Sequence, residues 1–144
     1  MEALLTTYTV SRTINASPDV IWELLTDADG YPDWTPAVVG IEGDIREGGR
    51  IALTSIVNPD RQFKLNVSDV EPPNRMVWSD GMPLGLFKGV RTFEIAPRDD
   101  GSSDFTMTEV YSGLMAPLAT KAIQDITYSF EIFADGLKAA AETR

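Results

Sequence analysis

The last third of the chain changes its hydrophobic pattern from a period of two to a period of 3.6. Alternation over Phe87–Ile95 and Phe105–Tyr111 predicts two strands, joined by turn-forming residues at Arg98–Ser102. After Gly113 the apolar residues recur at three- and four-residue spacing, which predicts one amphipathic helix over about Leu118–Ala140 and its flanks. These residues are Ala119, Ala122, Ile123, Ile126, Phe130, Phe133, Ala134, Leu137 and Ala141. A helix of roughly 24 residues spans about 36 Å, so its apolar face needs an equally long partner, which only a sheet can supply.

The preceding residues predict one strand, two short helices and four further strands. Tyr8–Ile14 alternates, and Ser17–Asp19 then supplies an N-cap, a proline and an acidic residue that together favour a helix start. The two prolines of Tyr31–Pro36 restrict that segment to a short helical turn. The next predicted strands are Val38–Ile45, Arg50–Val57, Gln62–Val70 and Arg75–Asp80. This order predicts an α+β domain with helices against one face of a seven-stranded antiparallel sheet.

Composition narrows the possible functions. A chain of 144 residues fits one domain, here 1–144. The sequence has no cysteine and no histidine, which excludes disulfides, Ser-His-Asp and Cys-His catalysis, and histidine metal sites. A net charge of −10 makes nucleic acid and anionic membranes poor partners. With no phosphate loop and no cluster of oxygen ligands, we predict neither a cofactor nor a metal.

The sequence also predicts a location. Met1–Val10 lacks the basic and apolar regions of a signal peptide, and no run of apolar residues is long enough to span a membrane. We therefore expect a cytoplasmic protein without stable membrane insertion, either a monomer or a homodimer.

Five segments together carry a family resemblance, and they are Ser17–Asp27, Tyr31–Pro36, Gly48–Gly49, Val70–Pro73 and Glu109–Leu114. In this order and spacing they resemble the START-like superfamily, also called SRPBCC, which includes lipid-transfer domains, plant pollen allergens and polyketide cyclases. The resemblance implies a helix-grip fold, in which an antiparallel sheet curves around a long C-terminal helix and leaves a ligand cavity between them. It does not imply one activity, because this fold hosts carriers, sensors and enzymes.

Pairing the last two strands across a turn centred near Asp100 gives the most specific local prediction. Residues that alternate along a strand share one face, so three cross-strand pairs should point inward. They are Ile95 with Phe105, Phe93 with Met107, and Arg91 with Glu109. The opposite face carries Thr92, Glu94, Thr106 and Thr108 and should face water. The inward face is therefore apolar near the turn and carries an Arg–Glu pair further along.

Two interpretations of Arg91 and Glu109 stay open. In the first, the pair anchors a ligand carbonyl, hydroxyl or carboxylate, with Glu109 as a possible acid or base. In the second, it is a half-solvated ion pair at the sheet edge that contributes about 0–1 kcal/mol to stability. A carboxylate that is paired with a guanidinium is a weaker general base, so the pairing favours binding over catalysis.

Aromatic residues supply the remaining candidate ligand contacts. Trp34 could close the mouth of the cavity while Tyr31 offers its hydroxyl, or Trp34 could pack as core. Trp78, opposite Val67 in the predicted pairing, should face inward. The predicted ligand-binding set is Tyr31, Trp34, Phe63, Leu65, Trp78, Arg91, Phe93, Met107, Glu109 and Phe130.

The function predicted first is the binding of a hydrophobic or amphipathic small molecule, lipid-, polyketide- or sterol-like, between the sheet and the C-terminal helix. The alternative is a polyketide cyclase or dehydratase in the same cavity. Without histidine, proton transfer there would fall to Glu109, Arg91, Tyr31, Tyr128 or Asp80. A third possibility is a protein-interaction role with a collapsed cavity.

Overall fold

The structure, a computed structural model, describes residues 5–56, 59–82, 87–113 and 123–144. This part of the chain forms seven strands and three helices, with one turn of 3₁₀ helix at Ala28–Gly30. The strands are β1 (Leu5–Ile14), β2 (Val38–Glu42), β3 (Arg50–Ser55), β4 (Gln62–Glu71), β5 (Arg75–Met82), β6 (Phe87–Pro97) and β7 (Ser103–Ser112). The helices are α1 (Pro18–Thr26), α2 (Tyr31–Trp34) and α3 (Ile123–Glu142). No described helix has the length and apolar character needed to cross a membrane.

All seven strands form one antiparallel sheet in the order β1-β7-β6-β5-β4-β3-β2. The pairing shifts between Val38 and Gly40 in β2, and again between Ser68 and Glu71 in β4, where Asp69 has a φ of 51°. Such bulges bend a strand and increase its twist, and the sheet curls around α3. The predicted fold, a seven-stranded helix-grip sheet with short helices after the first strand, is confirmed.

Most predicted boundaries agree with the structure, and β2 is the main exception. It ends at Glu42 instead of continuing to Ile45. Gly43 turns the chain there with a φ of 102°, and a side chain at this position would run into the backbone of Arg50. The turn therefore needs glycine both for its backbone conformation and for the close approach.

The predicted pairing of the last two strands is confirmed. Arg91 lies opposite Glu109, and Phe93 lies opposite Met107. Phe93 and Met107 are fully buried, whereas Thr92 on the other face is partly exposed. Trp78 lies opposite Val67 and is buried, also as predicted.

Helix α1 starts as its sequence predicts. The Ser17 side chain accepts a hydrogen bond from the backbone N–H of Val20 at 3.4 Å, and Pro18 occupies the first turn. Ile21, Leu24 and Leu25 are buried, while Val20 is only partly buried.

Helix α3 lies along the inner face of the sheet. Its buried residues keep the predicted spacing and are Phe130, Phe133, Ala134, Leu137 and Ala141. Polar contacts fix the helix to β1, because Arg12 pairs with Glu131 and Asp135, and Lys138 donates to the carbonyl of Thr13. The predicted helix residues before Ile123 lie outside the described residues.

Gly136 sets how closely α3 approaches α2. A Cβ at this position would overlap the backbone carbonyl oxygen of Trp34. A glycine inside a helix costs about 0.5–1 kcal/mol relative to alanine, so its presence here is explained by this close packing.

We predict that Gly136→Ala lowers the free energy of unfolding by about 1–3 kcal/mol, because α3 must move away from α2. Urea denaturation would measure the change. Ala139→Gly, at an exposed position of the same helix, is the control and should cost about 0.5–1 kcal/mol through helix propensity alone. A Gly136→Ala variant as stable as the wild type would contradict the packing argument.

Candidate functional site

The inner face of β6 and β7 is fully buried near the turn that joins them and less buried toward the other end. Phe93 and Met107 have no exposed surface. The next pair along, Arg91 and Glu109, retains 18% and 9% of its side-chain exposure, and Tyr111 beyond it is partly exposed. We call the fully buried part of this face the closed end and the less buried part the open end; the ion pair lies at the boundary between them.

Five aromatic rings pack together at the closed end, and we call them the ring cluster: Tyr31, Trp34, Trp78, Phe93 and Phe133. Ring centroids are 4.8 Å apart for Tyr31 and Trp34, 5.2 Å for Trp34 and Phe133, and 4.7 Å for Trp78 and Phe93. The other contacts within the cluster are between 5.9 and 6.1 Å. Four of the predicted ligand contacts thus pack mainly on one another and on α3.

Within this cluster, Tyr31 has a structural hydrogen bond. Its hydroxyl donates to the carbonyl oxygen of Leu25 at 2.6 Å, and complete burial holds its pKa well above the ordinary value. The hydroxyl proton is therefore engaged inside the fold. Trp34 packs edge-on against Phe133, as expected from the interpretation in which Trp34 belongs to the core.

The Arg91–Glu109 pair lies on the inner face, within hydrogen-bonding reach, as predicted. Arg91 Nε donates to Glu109 Oε1 at 2.7 Å. The guanidinium carbon of Arg91 also lies 4.8 Å from the centroid of the Phe130 ring, in a cation–π geometry. The alternative of a half-solvated pair at the sheet edge is wrong about its position, since β6 and β7 are interior strands and both side chains are mostly buried.

The Glu109 carboxylate and the Tyr111 ring pack closely over Gly89, which has no side chain. It lies opposite Tyr111 in the sheet, and a Cβ built on it would lie 3.3 Å from Glu109 Oε2 and 3.4 Å from the Tyr111 ring. The Tyr111 ring stacks on Phe87 with centroids 5.6 Å apart. Burial, followed by the charge of Glu109, raises the pKa of Tyr111 to about 12, so its hydroxyl is protonated at neutral pH.

Tyr8 is a residue of this region that sequence reasoning missed. It lies opposite Glu109 in the sheet, and its ring is 5.9 Å from Tyr111 and 6.5 Å from Phe130. Its hydroxyl oxygen is buried and has no hydrogen-bond partner among the described residues; the indole nitrogens of Trp34 and Trp78 share this property. The alternating pattern of β1 places Tyr8 on the inward-facing side of that strand. This pattern could have identified Tyr8 as a site residue only if the pairing of β1 with β7 had also been known.

The remaining candidates lie on β4, β5 and α3. Phe63 and Leu65 are half-buried on β4, and the guanidinium of Arg61 lies 4.8 Å from the Phe63 ring centroid. Asp80, opposite Gly89, is half-buried and accepts a hydrogen bond from the N–H of Gly81 at 2.7 Å. Tyr128 is 67% exposed, so a role for its hydroxyl in proton transfer inside the sheet is not supported.

The chain belongs to the polyketide cyclase / dehydrase and lipid transport family, whose model matches residues 6–142. This agrees with the superfamily indicated by its sequence segments. No curated protein matches the chain significantly.

Solved structures of low sequence identity share the fold. A protein from Mesorhizobium loti is 20% identical with a TM-score of 0.73, over 94% of this chain and 96% of the other. Ara h 8.0201 is 16% identical with a TM-score of 0.73, over 97% and 99%. The di-domain ARO/CYC StfQ from the steffimycin biosynthetic pathway is 15% identical with a TM-score of 0.76; the match covers 98% of this chain but 52% of StfQ.

We predict that Arg91→Met lowers the free energy of unfolding by about 2–4 kcal/mol, because Glu109 would remain buried without its partner. Arg98→Met is the matched control, since Arg98 pairs with Asp104 on the same hairpin but both side chains are about half exposed; it should cost less than about 1 kcal/mol. The double variant Arg91→Met/Glu109→Leu should recover most of the loss. Urea denaturation of the three variants would measure these differences, and equal losses for Arg91→Met and Arg98→Met would contradict the prediction.

Proposed function

We propose that the chain binds an apolar or amphipathic small molecule, lipid-, polyketide- or sterol-like, between the inner face of the sheet and α3. The binding site is the open end of that face, beside Arg91, Glu109 and Phe130. Membership of a family described by cyclase, dehydrase and lipid transport activities supports a small-molecule ligand.

The observation that carries the proposal is the position of a buried ion pair on an otherwise apolar face. Burying two charges is unfavourable unless they are paired and hydrogen-bonded, and a pair that serves stability alone is often replaced by apolar residues at little cost. Arg91 and Glu109 meet through one hydrogen bond, at the place where burial begins to decrease. Among the described residues, no other hydrogen bond engages the remaining N–H groups of Arg91 or the second oxygen of Glu109, which leaves these groups for a polar ligand group.

Phe130 gives the site its apolar wall. Its ring contacts the Arg91 guanidinium on one side and Tyr8 on another. A ligand placed here would therefore lie against an aromatic surface while its polar group reached the ion pair. This combination of apolar walls and a few oriented polar groups is typical of small-molecule sites.

Native mass spectrometry, after incubation with a panel of fatty acids, sterols and aromatic polyketides, would test the proposal. We expect at least one class to be retained by the wild type and by Arg98→Met. Arg91→Met should bind it more weakly by about 1.5–3 kcal/mol, the scale of a hydrogen bond to a charged group. If Arg91→Met does not fold, the double variant Arg91→Met/Glu109→Leu replaces it.

Two outcomes would contradict this assignment. Equal affinities of the wild type and the Arg91 variant would reduce the pair to a structural ion pair. Failure to retain any compound would favour a protein-interaction role with a filled cavity.

A cyclase- or dehydratase-like reaction at the same place is the second candidate. It is favoured by the position of Glu109 Oε2, which lies over Gly89 and near the Tyr111 ring, with Asp80 on the next strand. Glu109 Oε2 is not the oxygen that accepts from Arg91, so it can accept a substrate proton, although the pairing makes the carboxylate a weaker base. Turnover of a retained polyketide, followed by mass spectrometry for loss of water, would support this candidate if Glu109→Gln abolished it.

A further inference from the structure

Four inward residues form one row across four neighbouring strands. Tyr8 in β1 lies opposite Glu109 in β7, which lies opposite Arg91 in β6, which lies opposite Trp78 in β5. Tyr8 and Trp78 therefore flank the ion pair on either side. The binding site proposed above gives neither Tyr8 nor Trp78 a hydrogen bond to the ligand.

The electrostatics of this row are unfavourable to an anion. Arg91 and Glu109 are joined by a hydrogen bond of 2.7 Å, so the charge of the guanidinium is already neutralised. Asp80 adds a further negative charge in the next row, and the chain as a whole carries −10. A carboxylate entering this face would lose its hydration without gaining an unpaired cation.

Two polar groups of the row lack a hydrogen-bond partner in the described part of the chain and favour a ligand that accepts hydrogen bonds. The Tyr8 hydroxyl and the Trp78 indole nitrogen are both buried without a hydrogen-bond partner among the described residues. An indole N–H can only donate, and burial raises the pKa of Tyr8, which keeps its hydroxyl protonated. A buried donor that stays unpaired is destabilising, so both groups favour a ligand with an acceptor oxygen.

We propose that this site selects neutral ligands carrying an acceptor oxygen over carboxylates of similar size, and that Tyr8 is a specificity-determining residue that donates to that oxygen. Trp78 supplies a second donor on the other side of the ion pair. The inference rests on the proposed small-molecule function and narrows the class of ligand.

Three compounds of similar shape separate these preferences: diphenylmethane has no acceptor, benzophenone has a neutral carbonyl, and diphenylacetate is an anion. Equilibrium dialysis against the wild type should show that benzophenone binds about three- to tenfold more tightly than diphenylmethane, the value of one hydrogen bond. Diphenylacetate should bind more weakly than benzophenone by at least the same factor.

Tyr8→Phe removes only the hydroxyl and should reduce the advantage of benzophenone over diphenylmethane to about twofold or less. Tyr128→Phe, at an exposed tyrosine, is the matched control and should leave that ratio unchanged. Because the Tyr8 hydroxyl has no partner among the described residues, Tyr8→Phe should fold with unchanged or slightly higher stability. A wild-type ratio in Tyr8→Phe, or tightest binding of diphenylacetate, would overturn the proposal.

A second measurement covers the possibility that Tyr8→Phe fails to fold. In a nitrogen–proton correlation spectrum of the wild type, benzophenone should shift the indole N–H of Trp78 more than that of Trp22. Binding of all three compounds with equal affinity and no such shift would overturn this proposal alone. Failure of all three to bind would overturn this inference, and failure of the fatty acid, sterol and polyketide panel as well would overturn the proposed function.

Discussion

The burial of the apolar face of α3 along a curved sheet is the constraint on which the rest of the structure depends. Phe130 and Phe133, one helical turn apart on α3, pack against different groups of residues. Phe133 enters the ring cluster with Trp34 and Tyr31. Phe130 instead lies under the guanidinium of Arg91 and beside Tyr8. The same helix face therefore closes one end of the sheet and forms the wall of the candidate site at the other.

The ion pair can be buried at this position because several contacts together offset the free-energy cost of removing its two charges from water. Arg91 is held by a carboxylate and by the face of an aromatic ring, and both side chains keep a small contact with solvent. The polar contacts of Arg12 and Lys138 tie α3 to β1 on the closed side.

The sequence predicted those features that depend on local pattern. The β6–β7 hairpin is joined by a short turn, so alternation alone fixed the pairing of Arg91 with Glu109 and placed it on the inner face. Tyr8 was not found, because β1 pairs with β7 across most of the chain length and no local signal specifies that contact. Likewise, the sequence alone shows Gly136 only as a residue that destabilises a helix. The reason for a glycine here is the close approach of the Trp34 backbone, which depends on the tertiary fold.

The aromatic residues show a further limit of sequence reasoning. Tyr31 was expected to offer its hydroxyl to a ligand, and Trp34 to close the mouth of a cavity or to pack as core; pattern alone could not tell a ring that lines a cavity from a ring that fills it. The acceptor of the Tyr31 hydroxyl, the carbonyl of Leu25, depends on the path of the chain between α1 and α2. Packing of several rings on one another is a tertiary property, so the division into a closed end and an open end could be seen only in the folded chain.

A crystal structure of the chain with its most tightly retained compound tests the central claim most directly. The account predicts that the compound lies between the sheet and α3, contacts Phe130 and Arg91, and leaves Trp34 packed edge-on against Phe133. A compound bound on the outer face of the sheet, or inserted between the rings of Trp34 and Phe133, would contradict it.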